Sequence, residues 1–208
     1  MPKLQRLLIV GAGGFGREVH SWLMHIPPEN RNWYFGGFLD DKKRGDHIVS
    51  TIYDYKSQND DVLCCGMGDP KTKKRVYLDL LDKNCNFYTL IHPSVIIGDN
   101  VQLGKGCILC PNVVITCNVN IGDFTTINVS SSVGHDASIG RWSTISGHCD
   151  ITGFASLEEG VFLGSGARII PEVQIGAFSK IGAGSVVTRK VEANKLFFGN
   201  PAIEIMDL

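Results

Sequence analysis

No apolar run in this 208-residue chain approaches the ~18 residues that a membrane-spanning helix needs, so no membrane partner is expected. Net charge is nearly absent too. Twenty basic residues against 21 acidic ones leave −1, with no basic run to hold nucleic acid. Paired cysteines are lacking. Cys64, Cys65, Cys85, Cys107, Cys110, Cys117 and Cys149 are odd in number, and they read as reduced thiols of a cytoplasmic protein. Cys107 and Cys110 form a CxxC, but no second CxxC or His pair follows, so no metal site is expected. The N-terminus runs straight into a strand and a glycine turn, without the pattern of a cleavable signal peptide. Helical spacing is missing throughout residues 91–187.

A different period fills that stretch. Seventeen positions six residues apart, from Ile91 through Ile97, Leu103 and Leu109 to Val187, are all aliphatic, without slip or insertion. The fourth residue after each is small or apolar, as at Val113, Thr125, Ala137, Ser143 and Ala167. The next residue is often Gly, as at Gly98, Gly122, Gly134 and Gly164. Period six marks a β-helix. Each hexad is one wall of a triangular prism, with the aliphatic residue pointing inward and the small one near a corner. Successive coils stack about 4.8 Å apart, and one coil alone could not bury its core.

The first part of the chain alternates differently. Residues 4–10 read as a buried strand, Gly11 to Gly16 as a tight turn, and 17–24 as a helix that Pro27 and Pro28 end. Strands follow at 34–39 and 62–67, then a helix over 71–84 and a strand over 87–91 that leads into the prism. Alternating β and α elements predict a parallel sheet. The spacing therefore divides the chain into an α/β, Rossmann-like unit (1–89), a parallel β-helix (90–190) and a C-terminal tail (191–208).

Gly11, Ala12, Gly13, Gly14 and Gly16 follow a strand and open a helix. Glycines let the backbone approach a phosphate, and the helix N-terminus supplies free N–H groups and a positive dipole. Asp40 and Asp41 end the next strand, where a ribose-binding carboxylate belongs, with Lys42 beside them. Fewer than 90 residues precede the prism, too few for the second half of a dinucleotide fold. A mononucleotide or nucleotide-sugar fits better.

The two parts together resemble one family, the bacterial nucleotide-sugar acyltransferases of the sialic acid O-acetyltransferase type. It includes the N-acetyltransferases of the bacillosamine and perosamine pathways, which act on 4-amino sugars. The residues that carry the resemblance are Gly11-Ala-Gly-Gly-Phe-Gly16, Phe38-Leu-Asp-Asp41, Ile91-His-Pro-Ser94, Asn128 to Asp136, the unbroken hexads and Gly199-Asn-Pro-Ala202. It implies a left-handed prism, a homotrimer, and acetyl-CoA held between neighbouring prisms as co-substrate.

Acyl transfer from a thioester needs a base for the nucleophile and an N–H for the developing oxyanion. His135 is the expected base. It sits in a turn two places after inward Val133, and Asp136 can orient it. One coil is 18 residues, so Gly153 occupies the same corner one coil on, as an oxyanion or CoA contact without a side chain to block a ligand. Asn128 matches the family's asparagine near the acceptor. Thr144, Ser165, Gly182 and Ala183 fall where the family contacts CoA, although Thr144 departs from the His of some relatives. His148 could neighbour the groove, and His92 reads as structural.

The expected activity is acetyl-CoA-dependent N-acetylation of a nucleotide-linked amino-deoxy sugar at its 4-amine, for a bacterial surface glycan. O-acetylation of a sugar hydroxyl, a non-enzymatic nucleotide-binding trimer and a dinucleotide-dependent oxidoreductase are the alternatives, and the nucleobase stays open.

Overall fold

The computed structural model describes residues 4–42, 45 and 47–208. Its first unit contains β1 (Gln5–Val10), α1 (Gly14–Leu23), β2 (Trp33–Leu39), β3 (Ile48–Ser50), β4 (Asp61–Cys65), α2 (Pro70–Asp82) and β5 (Asn86–Phe87). The strands are parallel in the order β3-β2-β1-β4-β5. β1 to β2 moves one way across the sheet and β4 to β5 the other, so right-handed crossovers put α1 and α2 on opposite faces. Leu7, Leu8, Ile9 and Val10 are accordingly all fully buried, with no alternation. α1 begins at Gly14, three residues before the start the sequence suggests. Its first turn is built from glycine, a poor helix former, because a Cβ at Gly16 would lie 1.9 Å from the Gly11 carbonyl oxygen. The Asp69 side chain caps α2 by accepting from the Thr72 N–H at 2.8 Å.

The strand expected over 87–91 is two strands. Phe87 pairs with Leu63 in the first sheet, whereas Leu90–Ile91 pairs with Ile108–Leu109 in the prism. The chain changes sheets across Tyr88 and Thr89.

From β6 (Leu90–Ile91) to β22 (Val186–Val187) the described residues form seventeen two-residue strands, six residues apart. All but the last three pair in parallel with the strand 18 residues on, giving three walls. The first wall contains Leu109, Ile127 and Ile145, the second Ile115, Val133 and Ile151, and the third Ile121, Ile139 and Leu157. Inward residues from Leu109 to Val187 are at most 2% exposed. Ile91 and Ile97, on the open first coil, are 40% and 41% exposed. Polar corner residues have a regular partner. Thr125 Oγ1 donates to Gly140 O (3.2 Å), Ser131 Oγ to Ser146 O (2.9 Å) and Cys149 Sγ to Gly164 O (3.2 Å), always 15 residues on. Cys107 does the same with Gly122 O at 3.3 Å inside the prism, while Cys110 packs outside with the first unit's core.

β23 (Lys195–Gly199) and β24 (Ala202–Asp207) form a hairpin that extends the first wall over the last coil. Buried Phe197 and Ala202 close the core there.

The first unit docks on the first wall and on the corners at both its edges. Tyr77 of α2 meets Phe124 (5.1 Å between ring centroids), and Phe124 stacks on Trp142 at 4.5 Å and 2°. Among the described residues no helix is long and apolar enough to cross a membrane.

Candidate active site

The glycine turn is pinned from two sides. Gly11 (φ +99°) donates its N–H to the Leu39 carbonyl at 2.8 Å. Asp40 Oδ2 accepts the Ala12 N–H at 2.8 Å, and Asp40 Oδ1 accepts the Lys42 N–H at 2.8 Å. Asp40 thus ties the turn to the end of β2, and the Ala12 N–H is spent on it rather than offered to a ligand. Asp41 points elsewhere, its Oδ1 accepting the N–H groups of Ile52 and Tyr53 at 2.8 and 3.2 Å. A Cβ at Gly13 or Gly14 would meet nothing within 4 Å, so open space lies over the start of α1. That start has no side-chain cap and no acidic residue in its first turn, and Arg17 lies beside it with Nη1 on the Ala12 carbonyl (3.2 Å). Free N–H groups, helix dipole and guanidinium together suit an anion. Arg17 went unremarked in the sequence reading, although a cation in the first turn after a glycine loop is a visible signal.

α1 runs down the corner between the first and second walls. His25, just beyond its end, meets His92 of the first coil, Nδ1 to Nε2 at 2.9 Å. Cys110 of the second coil and Val129 of the third pack with the first unit's core. Asn128 of the third coil sits in that same corner. The Asn128 Oδ1 accepts the Val129 N–H at 2.8 Å, which leaves its Nδ2 outward.

His135 and Asp136 occupy the next corner, between the second and third walls. The His135 side chain is 55% exposed, and its Nδ1 lies 2.8 Å from Asp136 Oδ2. A carboxylate only accepts, so in the neutral ring the proton sits on Nδ1 and Nε2 carries the lone pair. Phe154, exposed in the turn one coil on, meets the ring edge-on at 5.1 Å and 89°. Gly153 is buried beneath the ring, where a Cβ would lie 2.7 Å from His135 Nε2. The absent side chain leaves room for the imidazole. Among the described residues the Gly153 N–H has no hydrogen-bond partner.

The other expected CoA contacts divide. Ser165 and Ala183 are exposed in the corner between the first and second walls. Gly182 donates its N–H to the Phe197 carbonyl at 2.8 Å, and a Cβ there would lie 2.1 Å from the Phe198 ring, so it seats that ring. Thr144 is corrected as a CoA contact. It is only 5% exposed, and its hydroxyl accepts from Lys73 Nζ at 2.9 Å under the docked first unit. Lys73 itself is fully buried, bonded also to Thr126 Oγ1 (3.2 Å) and the Ser143 carbonyl (3.0 Å), and burial pulls its amine down to about 8. A cavity of ≈ 1190 Å³ lies between residues 52–57 and α2 with Asp41 on its rim, and His135 does not line it.

Comparison with known proteins agrees with this architecture. Residues 6–80 match the PglD N-terminal domain, and residues 87–117 and 154–189 match the bacterial transferase hexapeptide (six repeats). The chain is 33% identical over 209 residues to GDP-perosamine N-acetyltransferase of Escherichia coli O157:H7, covering 95% of each. PerB from Caulobacter crescentus, solved with CoA and GDP-perosamine, superposes with a TM-score of 0.86 at 28% identity over 97% of both chains. WeeI from Acinetobacter baumannii AYE gives 0.89 at 27% identity, over 97% of this chain and 100% of that one. The likeness to such solved structures makes the prism a left-handed β-helix.

Proposed function

The chain belongs to the family of hexapeptide-repeat sugar N-acetyltransferases that carry a PglD-type N-terminal domain, and from that membership we propose that it transfers the acetyl group of acetyl-CoA to the 4-amine of a nucleotide-linked amino-deoxy sugar. The phosphates lie over Gly13 and Gly14 at the α1 N-terminus, with Arg17 alongside. Asn128 faces the sugar. Ser165, Ala183 and Gly153 line the path of the thioester, and GDP is the favoured nucleotide by likeness to the E. coli relative.

The reaction needs one proton moved twice. The amine nitrogen attacks the thioester carbonyl carbon while His135 Nε2 takes a proton from it. Asp136 balances the imidazolium. The oxyanion of the tetrahedral intermediate receives the Gly153 N–H. Collapse breaks the C–S bond, and His135 returns the proton to the CoA thiolate. The observation that carries this assignment is the 2.8 Å contact of His135 Nδ1 with Asp136, which leaves Nε2 as the basic nitrogen.

On one chain Asn128 and His135 lie at opposite edges of the second wall. A neighbouring prism against that wall would close the gap, which supports a homotrimer with each site drawn from two protomers. Both co-substrates are charged and water-soluble, in keeping with a cytoplasmic enzyme that feeds a bacterial surface glycan.

Thiol release from acetyl-CoA, measured against GDP-, UDP- and dTDP-linked sugars with and without a free 4-amine, tests the reading. Turnover confined to 4-amino compounds is expected, and turnover only with hydroxyl acceptors would replace it with O-acetylation. His135→Ala should lower kcat by about 10²–10⁴-fold and still bind acetyl-CoA. A near-normal kcat removes His135 as base.

A further inference from the structure

His135 and Asp136 do not stand alone in their corner. Asn118 Nδ2 donates to Asp136 Oδ1 at 3.2 Å, and Asn100 Nδ2 donates to Asn118 Oδ1 at 3.2 Å. Asn100, Asn118 and Asp136 are spaced one coil apart, with φ of 57°, 58° and 59°. All three hold the left-handed turn conformation that Asn and Asp adopt most readily among side-chain-bearing residues. The direction of the ladder follows from its top member. A carboxylate accepts only, so Asn118 must present its NH₂ upward and its carbonyl downward, where Asn100 donates to it.

We propose that Asn118 is a positioning residue for acetyl transfer: it holds one oxygen of Asp136 so that the other meets His135 Nδ1. The inference rests on His135 acting as the base. Asp136 is a short, partly exposed side chain whose terminal torsion has a broad, two-fold preference. Among the described residues its carboxylate has two side-chain partners, His135 and Asn118. Without Asn118 the carboxylate can rotate away, and the imidazole then loses both its tautomer bias and the charge that balances its protonated form. Asn100 keeps the ladder straight but touches neither Asp136 nor the ring.

That difference gives the test its control. In the full-length enzyme, Asn118→Ala should lower kcat about tenfold with the KM for acetyl-CoA unchanged, whereas Asn100→Ala should stay within about twofold. Asn118→Asp sets a second carboxylate beside Asp136 and favours the imidazolium. The acid limb of the kcat/KM profile should then move to higher pH by about half a unit to one unit. In a His135→Ala background, Asn118→Ala should cost nothing further. Equal effects of the Asn118 and Asn100 substitutions on kcat, with an unmoved acid limb, would make the ladder a structural feature only. If His135→Ala keeps its activity, the base assignment fails first. If His135→Ala is inactive and Asn118→Ala matches wild type, the positioning role alone fails.

Discussion

Two corners of the prism share one backbone and do opposite work. In both, the second turn residue is in the left-handed region. Where the third wall meets the first, that place reads Gly106, Phe124, Trp142, Gly160 and Phe178. Phe124 and Trp142 are 1% and 2% exposed beneath α2, and Gly106 and Gly160 make room for the Phe124 and Phe178 rings. Where the second wall meets the third, it reads Asn100, Asn118, Asp136, Phe154 and Glu172, and each is exposed. The solenoid sets where these side chains emerge. Their chemistry decides whether a corner fastens a domain or stays open to solvent.

The comparison breaks most strongly at the buried corner. Trp142→Ala should cost about 3–5 kcal/mol of stability by denaturant unfolding, since it removes the aromatic surface between α2 and the prism. Acetyl-CoA binding by the folded variant should be unchanged, and a loss below ~1 kcal/mol would mean that the docking lies elsewhere.

Lys73 sharpens it through pH. Its folded pKa, about 8, lies below the ordinary lysine value of 10.5. The unfolded chain therefore binds the proton more tightly, and the cost of burying the charge is present in full below pH 8. It fades as pH rises toward 10.5. Denaturant titrations should show wild type gaining stability relative to Lys73→Met across that window, by at most roughly 3 kcal/mol. Parallel curves for the two proteins would sink this reading.

At the exposed corner the effects should be kinetic. Gly153→Ala places a Cβ where the imidazole lies, and the ring, as the movable partner, swings out. A fall in kcat of about 10–100-fold with an unchanged melting temperature is expected, and a variant as fast as wild type would show that the ring need not rest there. Smallest of all is Phe154→Asn. It puts a side chain that tolerates the left-handed turn in place of an exposed aromatic one, so stability should change by no more than about 0.5 kcal/mol. A large loss would reveal Phe154 as part of a packed surface.

What the sequence made legible was the inward-facing set. A six-residue period fixes which residues point into the prism, and the 18-residue coil puts His135 and Gly153 in one corner. It left the outward-facing set open. Thr144 and Trp142 point away from the prism core, and only the docking of the first unit, a contact between distant parts of the chain, buries them. Lys73 reads as an ordinary surface residue of an amphipathic helix until the prism covers it. Phe87 and Ile91 belong to one apolar run, and only pairing with two different sheets divides them. The Asn100–Asn118–Asp136 register was within reach of the same arithmetic that linked His135 to Gly153.

The uninterrupted phase from Ile91 to Val187 also constrains how such a gene can change length. A residue's address on the prism is its number modulo 18. A deletion of one codon between positions 91 and 135 would break that phase and set the inward residues of the later coils out of step with the earlier ones. A six-codon insertion between Asn118 and His135 would keep the core but carry His135 and Asp136 to a different corner, away from Asn118. Only a duplication of 18 codons adds height and leaves every later residue facing as before. Lineages of this architecture can therefore lengthen by whole coils, while the angular order of the docking wall, the Asn128 corner and the His135 corner stays fixed.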